Sequence, residues 1–123
     1  MFGNLAERYS DARTATEFLC KPLEVEDFVV QSMPDASPTR WHLAHTTWFF
    51  ETFVLSRGET DYRPINDDYQ FLFNSYYNGV GEQFPRSRRG LVTRPTVAEV
   101  FQYRHAVDER VLRLWNLSKP EIF

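Results

Sequence analysis

The sequence predicts an all-α fold, a helix bundle. Apolar residues recur at helical spacing in several stretches, two segments open with helix-capping chemistry, and no stretch alternates apolar and polar residues as a half-buried strand would. The chain has 123 residues, which suits one domain over residues 1–123. Aromatic residues make up 16% of it, enough to build a modest core and to argue against wholesale disorder.

The spacing predicts a first helix from about Leu5 to Cys20, with Leu5, Tyr9, Ala12, Thr16 and Leu19 facing inward and Pro22 stopping it. Glu24 to Phe28 reads as one short turn. The second helix has the clearest start. Ser37 is placed to cap it, Pro38 suits its first position, and the helix is expected to run to about Arg57, where Gly58 ends it. A shorter third helix is expected over Asp68 to Tyr77, capped by Asp67 or Asn66 and ended by Gly79 and Gly81. Glu82 to Pro95 is a long connection rich in arginine: Arg86, Arg88, Arg89 and Arg94. The last helix opens on a capping box, Thr96 with Glu99, and runs to about Asn116 before Lys119-Pro120. Val97, Val100, Val107, Val111 and Leu114 mark its inner stripe, with Phe101 and Trp115 at the margins.

Composition excludes several classes of function. A net charge of −3 argues against a nucleic-acid-binding domain, which would be basic. Cys20 is the only cysteine, so no internal disulfide and no cysteine-rich zinc site can form, and its setting beside a helix-ending proline reads as packing. No apolar run reaches the roughly 18 residues of a membrane span, and Met1 to Arg13 has no signal-peptide core, so a cytoplasmic setting and no membrane partner are expected.

The residues that bear chemistry concentrate in Trp41 to Glu51. On a helix, Trp41, His45, Trp48 and Thr52 share one face, which sets His45 in an aromatic, inward stripe. His42 lies one turn earlier, rotated by about 60°. Imidazole suits iron or zinc, yet a lone inward histidine is also an ordinary core residue, and spacing leaves both readings open. His105 and Glu109, at i, i+4, would complete a two-histidine, one-carboxylate set with His45. Against that, they fall off the valine stripe, among Arg104, Asp108 and Arg110, which read as a solvated face. Glu51 reads as a helix-surface residue or a supporting partner of the site. The loop arginines suit an anionic substrate, an acidic partner surface or a domain interface, and equally an ordinary solvated loop.

Three long strings carry a family resemblance: QSMPDASPTRWHLAHTTWFFETFVL (Gln31 to Leu55), YRPINDDYQFLFNSYYNGVG (Tyr62 to Gly81) and PRSRRGLVTRPTVAEVFQYRHAVDERV (Pro85 to Val111). They resemble the N-terminal domain of the iron(II)-dependent sulfoxide synthases of ergothioneine biosynthesis, over nearly the whole chain. The resemblance implies a DinB-like four-helix bundle, followed in the family by a larger domain related to formylglycine-generating enzymes. It implies iron and dioxygen chemistry that joins a cysteine or γ-glutamylcysteine sulfur to trimethylhistidine. It also implies that His45, at the LAH position, is one of three iron-binding histidines, that His42 is not required as a ligand, and that Arg86 and Arg89 hold a substrate carboxylate.

The family's other two histidines lie in an HxxxHxE motif that this sequence lacks. His105 aligns with the preceding segment instead. The expectation is therefore an incomplete bundle, a fragment of the larger architecture. It is expected to have no catalytic residue set of its own and to bind no iron alone. Its exposed apolar stripe is expected to be covered by self-association or by a partner chain that supplies the missing helix.

Overall fold

The computed structural model describes residues 3–75 and 81–118. Among these the chain is helical, with no strand beyond an isolated bridge between Met33 and Ala36. Helix α1 spans Gly3–Leu19. Helix α2 spans Thr39–Phe50, continues without a break through one π-helical turn, Glu51–Leu55, and closes with Ser56–Gly58. Helix α3 is short, Tyr69–Phe73, and helix α4 is the longest, Val97–Ser118. Single 3-10 turns at Val25–Phe28 and Arg86–Leu91 sit in the connections. No helix is long and apolar enough to cross a membrane among the described residues.

Local chemistry accounts for most element ends. The capping box of α4 forms as the sequence predicts: the Glu99 amide donates to Thr96 Oγ1 at 3.1 Å and the Thr96 amide to Glu99 Oε1 at 2.8 Å. The start of α2 differs from expectation. Pro38 holds the N-cap position in extended geometry, and its carbonyl accepts the amides of Trp41 and His42. Ser37 is drawn away to accept a hydrogen bond from Arg89. The α2 rod does end at Gly58, where a Cβ would come within 2.3 Å of Leu114 of α4, so glycine there permits the close approach of the two helices. Helix α3 stops at Phe73, earlier than expected, because Asn74 turns to extended backbone. The expected end at Tyr77 and Gly79, and the Lys119-Pro120 stop, lie outside the described residues.

The core lies where α4 packs along α2, with α1 against α4 and α3 against α2. Val100, Tyr103, Val107 and Val111 of α4 meet Leu43, Ala44, Trp48 and Leu55 of the α2 rod. Helix α1 keeps only part of the expected stripe inward. Tyr9 is buried as expected and Thr16 is half-buried, but Leu5 and Ala12 are exposed, Leu19 is 74% exposed, and Arg13 is buried instead. The reason is polar. Arg13 donates to Asp108 Oδ1 at 2.8 Å and to Thr47 Oγ1 at 2.6 Å, and Tyr9 donates to the same Asp108 oxygen at 2.6 Å. Arg104, fully buried, completes the network through Glu17 Oε2, the Leu43 carbonyl and the Arg13 carbonyl. Arg104 and Asp108 therefore do not form a solvated face. They join α1, α2 and α4 through hydrogen-bonded charges, the condition under which an arginine can be buried.

Candidate functional site

Helix α2 presents Trp41, His45 and Trp48 on one face, as its periodicity predicts. The His45 ring stacks on Trp41, with centroids 4.5 Å apart and planes 10° from parallel, and more loosely on Trp48 at 6.0 Å and 23°. Trp41 is itself fixed by its indole N–H, which donates to the Leu72 carbonyl at 3.0 Å. The decisive contact is at the end of α3. There the Phe73 carbonyl accepts a hydrogen bond from His45 Nδ1 at 2.6 Å. A carbonyl cannot donate, so Nδ1 carries the proton and Nε2 keeps its lone pair. Burial holds the His45 pKa below its ordinary value. The Phe73 carbonyl opposes that shift, and the nearby Arg89 charge adds to it. The product is a neutral, oriented imidazole, the form in which histidine binds metals or takes up a proton.

The other candidates fall in three places. His42 lies on the exposed rim, edge-on to Trp41 at 5.2 Å, its pKa lowered by partial desolvation and then by His45, Arg89 and Arg86. His105 is 66% exposed and pairs with Glu17 at 3.5 Å, while Glu109 is 74% exposed and pairs with Arg113 at 2.9 Å. Neither joins His45: among the described residues no group of three histidine, cysteine, aspartate or glutamate side chains is placed to hold a metal. Glu51 is a correction to the sequence reading. It is buried, not on the surface, with Oε1 accepting from the Tyr103 hydroxyl at 2.7 Å and Oε2 from the Ile65 amide at 2.8 Å. Glu51 continues the buried stripe of Ala44, Thr47 and Trp48 at helical spacing, and Leu55 follows one turn on, inside the π-helical segment. Cys20 is buried and packs in the core, as expected.

The arginine loop is ordered and tied down. Gln31 holds both ends of its 3-10 turn, donating to the Arg86 carbonyl at 2.8 Å and accepting from the Gly90 amide at 2.6 Å. Arg89 is buried, its guanidinium 3.6 Å from the Trp41 ring centre and its Nη1 on Ser37. Arg86 is half-buried beside it, and Arg88 and Arg94 are exposed. Arg40 was not singled out from the sequence, yet it is buried and clamps the loop by donating to the carbonyls of Val92, Thr93 and Pro95. Its place in the first turn of α2, directly before Trp41, was the available signal.

Fold and site together define an all-helical bundle that carries a carbonyl-oriented histidine on its second helix, beneath an arginine-rich loop. The family model that matches the chain, over residues 8–121, is that of the DinB superfamily. The chain belongs to the DinB superfamily. Comparison with curated proteins finds none that matches.

Proposed function

We propose that the chain is the histidine-bearing helical part of an iron(II)-dependent sulfoxide synthase of the kind that joins a cysteine sulfur to trimethylhistidine, and that His45 supplies one imidazole ligand through Nε2. The single observation that supports this is the hydrogen bond from His45 Nδ1 to the Phe73 carbonyl, which leaves Nε2 unprotonated within an aromatic stack. The resemblance of the strings around His45 and the arginine loop supports it at the level of sequence. The described residues fit iron only in part, since they offer one imidazole and no second or third ligand converging on it. The chain on its own therefore holds iron weakly and does not turn over. Completing the site requires ligands from outside the described residues or from a partner chain. Arg86 and Arg89 are the residues proposed to receive a substrate carboxylate, Arg89 being already oriented by Trp41 and Ser37.

Anaerobic titration of the purified chain with iron(II) tests this reading. Weak binding that disappears in His45→Ala agrees with it. Stoichiometric tight iron with sulfoxide formation by the chain alone contradicts the partial site, and binding unaffected by His45→Ala contradicts the ligand.

A second reading is favoured by one further observation. Phe18, 62% exposed, lines an open groove of about 570 Å³ between α1, the segment after it and α4, and Leu19 next to it is 74% exposed. On this reading the chain is an interaction module that covers this face by self-association or with another chain. A strictly monomeric species in light scattering, at all concentrations and with a candidate partner present, contradicts it.

A further inference from the structure

The Trp41 indole is held on both faces. The Arg89 guanidinium lies 3.6 Å from the ring centre, and the His45 imidazole lies 4.5 Å away and 10° from parallel. At these distances the two groups would overlap if they shared a face, so guanidinium, indole and imidazole form one stack. The indole is also tied at its edge, where its N–H donates to the Leu72 carbonyl. The plane of His45 thus follows the plane of Trp41, and the opposite face of Trp41 is covered by Arg89.

Where Arg89 sits depends on its turn, Arg86–Leu91. Arg40 holds the residues that follow the turn, through the carbonyls of Val92, Thr93 and Pro95. Gln31 holds the turn itself. Its Nε2 donates to the Arg86 carbonyl at 2.8 Å, and its Oε1 accepts from the Gly90 amide at 2.6 Å. Glutamine suits this place because one side-chain amide offers a donor and an acceptor together. The Gly90 amide belongs to the peptide group that joins Arg89 to Gly90, so this bond fixes the Arg89 backbone directly. The fit is close: a Cβ on Gly90 would come within 2.8 Å of Gln31 Cβ and 3.1 Å of its Oε1.

From this geometry we infer that Gln31 is a positioning residue of the candidate site, which acts through the arginine turn and the Arg89–Trp41 contact to set the plane of the His45 imidazole. The coupling is mechanical. Without Gln31 the turn gains freedom, Arg89 leaves the face of Trp41, and water takes its place. The indole then keeps one stacking partner instead of two, and the imidazole gains a range of tilt. The effect on the ring stands by itself, whereas the effect on iron rests on the reading of His45 as a ligand.

Proton–carbon NMR of the full chain reads the ring directly, because the indole against it displaces the His45 ring-proton signals from their ordinary positions. In Gln31→Met, which keeps the side-chain length and removes both hydrogen bonds, these signals are expected to move back toward ordinary histidine positions, together with a shift of the Trp41 indole N–H. Gly90→Ala pushes Gln31 off the turn by contact. It is expected to move the signals the same way, and it carries the test if Gln31→Met fails to fold. Arg88→Ala removes an exposed charge from the same turn and leaves the Gln31 bonds intact, so it is expected to leave the signals in place. The apparent iron(II) affinity is expected to fall roughly threefold to tenfold in Gln31→Met, the equivalent of about one hydrogen bond. A role confined to loop stability lowers the unfolding midpoint and leaves the His45 signals where they are, and that result overturns the inference. So does an equal displacement in Arg88→Ala, which assigns the effect to charge and not to placement. Displaced ring signals with unchanged iron affinity support the positioning and contradict His45 as the ligand.

Discussion

His45 lies flat against Trp41, 4.5 Å away and 10° from parallel, while its Nδ1 reaches across to the Phe73 carbonyl. Two contacts from two elements thus fix both the plane of the imidazole and its rotation within that plane. Trp41→Phe keeps a ring for stacking but removes the indole donor and leaves the Leu72 carbonyl without it. The expected destabilisation is about 1–3 kcal/mol by chemical denaturation. The end of α3 should loosen with it, and the His45 pKa should rise toward its ordinary value as the ring gains water.

The pH dependence of stability follows from the same ring. The folded pKa of His45 is held below its ordinary value of 6.5 by burial, so near and below that pH the unfolded chain binds the proton more readily than the folded one. The stabilising contribution is present above about pH 6.5 and is lost as the pH falls through the folded pKa. Denaturant midpoints measured from pH 8 down to pH 5 should fall, and His45→Gln should flatten that fall. A second loss belongs to lower pH. Arg110 donates to both carboxylate oxygens of Glu59, at 2.5 and 3.1 Å, and holds its pKa below the ordinary 4.5. The stability from that pair survives the first decline and disappears as the pH falls below about 4.5.

Glu51 is predicted to be structural. It accepts from the Tyr103 hydroxyl and from the Ile65 amide, and burial together with the Glu51 carboxylate raises the Tyr103 pKa strongly. Glu51→Ala orphans two donors at once, at an expected cost of about 1–3 kcal/mol for each buried group left unpaired. Glu51→Gln retains an acceptor and should cost less.

Arg104 is predicted to be among the most sensitive positions. Its guanidinium meets Glu17, the Leu43 carbonyl and the Arg13 carbonyl with no exposure to solvent. Arg104→Ala removes one partner of a buried charge network and is expected to cost about 3–5 kcal/mol. Arg113→Ala, which breaks only an exposed i, i+4 pair with Glu109, is expected to cost less than about 0.5 kcal/mol.

The helices of this fold are legible in its sequence because they are written in spacing and caps. The Thr96–Glu99 box, the glycine at the end of α2 and the valine stripe of α4 each correspond to an observed contact or burial. The stripe of α1 is legible only at Tyr9, because apolar spacing also assigns the interior to Leu5 and Leu19, whereas Arg13 is pulled in by acceptors on helices far away in sequence. Glu51 was misplaced for a related reason. It lies on the buried stripe of Ala44, Thr47 and Trp48, and the partners of its two acceptor oxygens, the Tyr103 hydroxyl and the Ile65 amide, come from segments far along the chain. Of the site, the residue types and the facing of Trp41, His45 and Trp48 follow from periodicity. The Phe73 carbonyl and the Arg40 clamp do not, since both depend on where a loop backbone settles.

His45 is held as a neutral imidazole with its proton on Nδ1, and a long-range proton–nitrogen NMR spectrum of the folded chain at pH 7 reads that state directly. The expected result is an Nδ1–H tautomer with an unprotonated Nε2, lost on unfolding. An Nε2–H tautomer, or a charged imidazolium at that pH, would contradict the account.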